Sequence, residues 1–237
     1  MKINVLVLAG GSNVSTQDGY PVFLGEIGGE QVLSHIISNC SDLLKPVYHY
    51  AFVDTDVQKF YLDKIVEQMT PGSRVVKVSK DCKGALASSL LAACQMNSDD
   101  QLLIVSSNEL VQLDLALVVS EFVEKKVDAG TVTFDSLHPR YSFVRLDEDR
   151  FVTEASQFSP ISRHATAGIF WFNRTGEFVE AAMNSIRKSS FIKGSLYVAP
   201  CLNELILKHK KIGVVEVDKR KYIPLKTLVQ LQNKLED

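Results

Sequence analysis

Apolar residues gather in short runs along the chain, and the spacing within and between those runs predicts its elements. Strand-length runs rich in Val, Ile, Leu and aromatics cover Ile3–Ala9, Tyr48–Val53, Arg74–Val78, Gln101–Ser107 and Ala129–Phe134. Between them, apolar residues recur three and four positions apart over Glu30–Cys40, Val57–Met69, Gly84–Met96 and Asp114–Lys126, the spacing of a helix with one buried face. Successive strand-then-helix units predict an α/β fold with a mostly parallel central sheet covered by helices on both faces. The second half changes character. Tyr141–Leu146, Phe151–Ala155 and Thr166–Phe172 read as strands with no long helix between the first two, so the sheet becomes mixed there. Helices over Glu177–Lys188 and Pro200–His209 and a strand over Ile212–Val217 follow. With no repeat, low-complexity tract or linker, the 237 residues are expected to form one domain.

Composition narrows the function classes. A formal net charge of −2, from 26 basic and 28 acidic residues without a basic block, argues against a nucleic-acid polymer or a membrane surface as partner. One lysine and then an apolar run of strand length do not make a secretion signal, and no run approaches a membrane span. Cys40, Cys82, Cys94 and Cys201 are widely spaced and form no metal motif. They read as buried or half-buried free thiols of a cytoplasmic protein. His35, His49, His164 and His209 share no metal-ligand spacing, so no metal site is expected from them.

In an open parallel sheet the ligand sits beyond the carboxyl ends of the strands. Here those positions are Gly10 and Gly11, Asp54–Asp56, Lys80–Gly84 and Ser106–Glu109. Two glycines after the first strand leave room for backbone contact with a phosphate, and Gly84 opens a helix whose first amides could face an anion. Asp54, Thr55 and Asp56 suit a helix N-cap with first-turn acids better than a paired-aspartate metal motif.

Taken together, the segments resemble the nucleotidyltransferase family that makes sugar nucleotides and related activated metabolites. The resemblance spans nearly the whole chain: VLVLAGG (Val5–Gly11), YPVFLGEIGGEQVLSHII (Tyr20–Ile37), KGALASSLLAA (Lys83–Ala93), LLIVSSNELV (Leu102–Val111), HPRYSFVRLD (His138–Asp147), VTEASQFSPIS (Val152–Ser162), ATAGIFWF (Ala165–Phe172) and YVAPCLNELIL (Tyr197–Leu207). It implies a nucleotide-diphospho-sugar transferase fold of the GT-A-like kind, with a nucleotide-binding half over 1–135 and a substrate half over 136–237. It also implies contacts to the nucleotide from Leu8, Ala9, Gly10, Gly11, Gly84, Ser88 and Asn108. Contacts to the second substrate are implied for Glu109, Arg140, Tyr141, Glu154, Gly168, Asn203 and Glu204. The substrate-half motifs are most similar to transferases of capsule and surface-polysaccharide pathways.

The departures from the family pattern fall where the reaction is carried. Asn13, Val14 and Ser15 stand in the loop that ends in an arginine, Val22 replaces a lysine, Asn108 replaces the metal aspartate, and Gln157 and Phe158 replace a glutamate and a lysine. Nucleotidyl transfer needs Mg²⁺ and cations around a phosphorus that gathers negative charge. Asn108 offers Mg²⁺ only a neutral oxygen, and Val22 and Phe158 hold no phosphate. Lys80, Lys83 or Arg140 could restore part of the lost charge. The expectation is a nucleotidyltransferase-like protein that binds a nucleotide, a nucleotide sugar or a phosphorylated small molecule, with weak or no turnover, and no catalytic residue is assigned. The alternatives are an active nucleotidyltransferase and, behind it, a glycosyltransferase using Asp54 and Asp56. A protein partner or a second copy of the chain is left open.

Overall fold

A computed structural model describes residues 2–10 and 19–225. In chain order the elements are β1 (Ile3–Ala9), β2 (Glu26–Ile27), β3 (Glu30–Gln31), α1 (Val32–Ser38), β4 (Pro46–Val53), α2 (Asp54–Phe60), α3 (Leu62–Met69), β5 (Arg74–Val78), α4 (Ala85–Ala93), β6 (Gln101–Ser106), β7 (Glu109–Val111) and α5 (Leu115–Glu124). The second half adds β8 (Ala129–Asp135), β9 (Ser142–Leu146), β10 (Val152–Gln157), β11 (His164–Phe172), α6 (Thr175–Arg187), α7 (Val198–Ile206), β12 (Ile212–Glu216) and β13 (Tyr222–Pro224).

Nine strands form one sheet in the order β10-β9-β11-β6-β1-β4-β5, with β8 and β12 extending from β11. β6, β1, β4 and β5 are parallel, so their carboxyl ends share one edge of the molecule. β11 runs antiparallel to β6 and β8, and β10 antiparallel to β9, which makes the second half mixed, as its pattern predicts. β1 shows why the sheet is covered twice. Val5 and Val7 face a core shared with α1, α3 and α5, whereas Leu6 and Leu8 face one shared with α4, α6 and α7. Both faces are buried along the whole strand, so it reads as a continuous apolar run.

Two expectations on elements change. The helix predicted over Val57–Met69 is divided at Tyr61, whose φ of 53° places it in the left-handed region. Val57 and Leu62 are both buried, yet in one straight helix they would point about 140° apart, so the break rephases the chain and returns Leu62 to the core. Val53, not Asp54, holds the N-cap position of α2, and Asp54 and Asp56 lie in the helix's first turn. Cys94 also departs from the prediction of sheltered thiols: it is exposed, Cys82 is half-buried, and Cys40 and Cys201 are buried.

Candidate functional site

A cavity of about 310 Å³ opens where the carboxyl ends of β1 and β6 meet β9, β11 and the start of α4. That volume lies at the lower end of the range for small-molecule sites. One side of it is formed by Leu8, Gly10, Ala85, Ser88, Ser106 and Asn108. Glu109, Arg140, Ser142, Gln157, Thr166 and Gly168 supply the far side, and Phe158, Phe170 and Tyr197 give it aromatic surface.

The bend in β11 makes the space. β11 pairs with β6 through Ile169–Phe172 and touches β9 at Ala165, while its register against β8 shifts between Thr166 and Phe170. Gly168 sits in that irregularity with φ 70°, and a Cβ there would fall 2.1 Å from Glu109 Oε1. The glycine therefore lets the Glu109 carboxylate lie against bare backbone. Glu109 is buried, and its Oε2 accepts a hydrogen bond from the Tyr222 hydroxyl at 2.5 Å. Burial, and then the adjacent Glu109 charge, push the Tyr222 phenol far above its ordinary range, so it stays a proton donor.

Arg140 is held beside this pair. Its guanidinium donates to the Tyr141 hydroxyl at 2.6 Å and lies 4.8 Å from that ring's centroid. Tyr141, Tyr222 and Phe134 pack as one aromatic group, with Phe134 and Tyr222 stacked 3.9 Å apart. The buried Arg140 Nε–H has no hydrogen-bond partner among the described residues. A buried guanidinium N–H without an acceptor is costly, and a ligand oxygen would relieve it.

Seven sequence-predicted site residues thus meet at one cavity: Leu8, Gly10, Ser88, Asn108, Glu109, Arg140 and Gly168. Tyr141 supports Arg140 from behind, Ala9 is buried in β1, and Gly11 lies outside the described residues, as do Asn13, Val14 and Ser15. The others are engaged elsewhere. Gly84 (φ 103°) faces the backbone of Leu196, whose O would be 2.4 Å from a Cβ at this position. The Leu196 carbonyl accepts the Leu86 N–H at 3.2 Å, so a backbone group already uses one of the α4 amides read as an anion site. Asn203 clamps Ala155 on β10, donating to its carbonyl and accepting from its N–H, both at 2.8 Å. Glu204 accepts from Lys188 at 2.8 and 2.9 Å, and Glu154 pairs with Arg145 at 2.6 Å. Val22 is 1% exposed and belongs to the core, far from the role of a phosphate contact.

Tyr222 had no local signal in its sequence neighbourhood, because it acts from a three-residue strand paired with β7. Ser142 and Thr166 carried a usable signal, since each is a polar position beside apolar neighbours in a mainly apolar strand. Among the described residues no trio of His, Cys, Asp and Glu could hold a metal. Glu109 is the one carboxylate among the described residues of the cavity wall, and one of its oxygens is committed to Tyr222. This donor set does not fit a metal ion held by the protein alone. Asp54 pairs with Lys77 at 3.3 Å beside a separate surface depression that Lys80 also borders.

Comparison of the sequence with family models and with curated proteins gives no match. Among solved structures, a nucleoside-diphosphate-sugar pyrophosphorylase from Vibrio cholerae superposes with a TM-score of 0.79 at 16% identity, covering 99% of this chain and 100% of that one. A protein described as a glucose-1-phosphate thymidylyltransferase from Bacillus anthracis gives 0.76 at 17% identity, over 99% of this chain and 94% of its own. A CMP:2-keto-3-deoxy-manno-octonic acid synthetase complexed with CTP gives 0.70 at 14%, over 100% and 98%. The chain therefore shares the α/β fold of these three proteins, with a mostly parallel central sheet flanked by helices.

Proposed function

We propose that this chain is one nucleotidyltransferase-like domain, with a nucleotide-binding half over 1–135 and a substrate half over 136–237. It binds a nucleotide, a nucleotide sugar or a phosphorylated small molecule with weak or no transfer. The observation that carries this reading is the cavity itself. Residues after β1 and β6 and at the start of α4 converge with Glu109, Arg140 and Thr166 on one space of ligand size, while among the described residues of its wall only Arg140 brings a positive charge. Hydroxyl and amide side chains dominate the polar lining, which suits sugar and ribose hydroxyls better than a triphosphate. Positioning and electrostatics supply most of the rate of phosphoryl chemistry, so a wall with one cation argues for binding over turnover.

Mg²⁺ would reach such a site only with a ligand's phosphates, and no step is assigned to it. Among the described residues no helix is long and apolar enough to cross a membrane. A role in activated-sugar or surface-polysaccharide metabolism in the cytoplasm is in keeping with the segments of the substrate half. The test is a thermal-shift panel of nucleoside triphosphates, nucleoside diphosphate sugars and sugar phosphates, with and without Mg²⁺, because a bound ligand raises Tm by mass action. Diphosphate sugars or sugar phosphates should raise Tm more than triphosphates do. Pyrophosphate release from a triphosphate and a sugar phosphate would replace this reading with an active transferase.

A further inference from the structure

A second depression, open and of about 650 Å³, lies where the break between α2 and α3 meets the segment leading into α1. Its walls include Tyr20, Gln31, Lys59, Phe60 and Tyr61, and among the described residues it shares no lining residue with the cavity. Tyr20 and Tyr61 are 49% and 70% exposed, and Phe60 is half-buried. Three aromatic rings thus leave apolar area in water at one place, area that a ligand laid on them would cover.

Tyr61 is also strained. It carries the φ of 53° that divides the helix, a conformation in which a Cβ crowds the next carbonyl. Glycine or asparagine would turn the chain there with less strain and return Leu62 to the core equally well. The chain instead places an exposed aromatic side chain at the turn, and strain of this kind gathers at ligand sites.

Shape and charge select the ligand. The rings of Tyr20 and Phe60 have centroids 5.4 Å apart and planes inclined at 46°, an angled floor that suits the staggered C–H groups of a sugar chair better than a flat base. Lys59 holds its Nζ 4.7 Å from the Phe60 centroid, so a cationic ligand, which such rings would otherwise attract, is repelled. The same ammonium rests on an aromatic face rather than on a carboxylate and can turn to a ligand anion. Gln31 stands at the N-cap position of α1, yet its side chain makes no capping hydrogen bond, which leaves the amide for ligand hydroxyls. We propose that this depression is a saccharide site that takes an acidic sugar, a uronic acid residue. The rings of Phe60 and Tyr61 lie against its C–H face, Gln31 meets its hydroxyls and Lys59 its carboxylate. The site is independent of the ligand proposed for the cavity.

The test is a saturation-transfer NMR titration of methyl glucuronide, methyl glucoside and adenosine against wild type, Tyr61→Asn, Tyr61→Phe, Lys59→Gln and Arg140→Ala, with Tm recorded for each. Asparagine accepts the left-handed backbone, so Tyr61→Asn should fold with an equal or higher Tm. Wild type should bind the glucuronide more tightly than the glucoside. Tyr61→Asn should weaken the glucuronide roughly tenfold, and Tyr61→Phe, which keeps the ring, by no more than about twofold. Lys59→Gln should remove the preference for the glucuronide, and high salt should reduce it. Arg140→Ala should leave glucuronide binding unchanged, because Arg140 belongs to the cavity. Glucuronide binding that Arg140→Ala abolishes and Tyr61→Asn spares assigns the sugar to the cavity and overturns this site while the reading of the cavity stands. Adenosine binding that depends on Tyr61 and exceeds that of either sugar overturns it in favour of a base, and a wild type that binds neither sugar also overturns it.

Discussion

Replacing Gly168 with alanine tests whether the cavity wall is built as described. Gly168 has φ 70°, and an added Cβ would meet Glu109 Oε1 at 2.1 Å, Glu109 Cδ at 2.6 Å and Ser106 Cβ at 2.8 Å. The left-handed backbone costs a residue with a Cβ about 1–2 kcal/mol. The overlap forces the carboxylate away from its position and breaks its bond from Tyr222, a charge-assisted bond worth about 1.5–3 kcal/mol. Gly168→Ala should therefore destabilise the protein by about 3 kcal/mol or more, which for a chain of this size lowers Tm by roughly 6–12 °C. Urea unfolding should show a lower midpoint at unchanged m. The cause is checked by a cycle with Glu109→Ala, which removes the clashing carboxylate. In that background Gly168→Ala should cost only the backbone part, about 1–2 kcal/mol, and whatever the remaining approach to Ser106 Cβ adds, so the cost falls and the two changes couple. Equal costs in both backgrounds would refute the contact between Gly168 and Glu109.

Three further outcomes are expected. Burial, and then the charge of Arg74, lower the His49 imidazole from 6.5 to about 4, so the unfolded chain takes up a proton that the folded one refuses. Stability is full above pH 6.5 and falls by up to about 3 kcal/mol as pH drops towards 4, and His49→Gln should flatten that slope in urea titrations at a series of pH values. Burial pushes the Cys40 and Cys201 thiols up to about 12, so a thiol reagent on native protein should modify Cys82 and Cys94 and reach the other two only after unfolding. Asn203→Ala removes both bonds to Ala155 and should cost about 2 kcal/mol in urea without changing ligand affinity, whereas a substrate contact would weaken binding.

The fold was legible because its core strands are buried on both faces. Ile3–Ala9 and Arg74–Val78 appear in the structure with the limits their apolar runs predict. β7 and β13 were not legible, since three-residue strands carry no period of their own and exist only by pairing with each other. The site divides in the same way. Gly10, Asn108 and Glu109 follow from the rule that ligands sit beyond strand carboxyl ends, whereas Ser88, inside α4, comes only from the family resemblance. The Tyr222–Glu109 bond joins residues 113 positions apart and follows from no local pattern. Gly84 shows a further limit: a glycine at a helix start signals close approach, but whether of a phosphate or, as here, of the Leu196 backbone is decided by tertiary packing. Asn203 and Glu204 lie on α7 beside the cavity-lining Val198 and Ala199, yet β10 and Lys188 engage them first.

The most direct test of the central claim is calorimetric titration of nucleoside diphosphate sugars into the wild type and into Arg140→Ala. Among the described residues, Arg140 is the cation of the cavity wall and its buried Nε–H lacks a partner. Saturable one-to-one binding is predicted, weakened roughly ten- to hundredfold by Arg140→Ala, as expected for loss of a charged hydrogen bond. Binding that Arg140→Ala leaves untouched, or no binding of any nucleotide sugar, would contradict it.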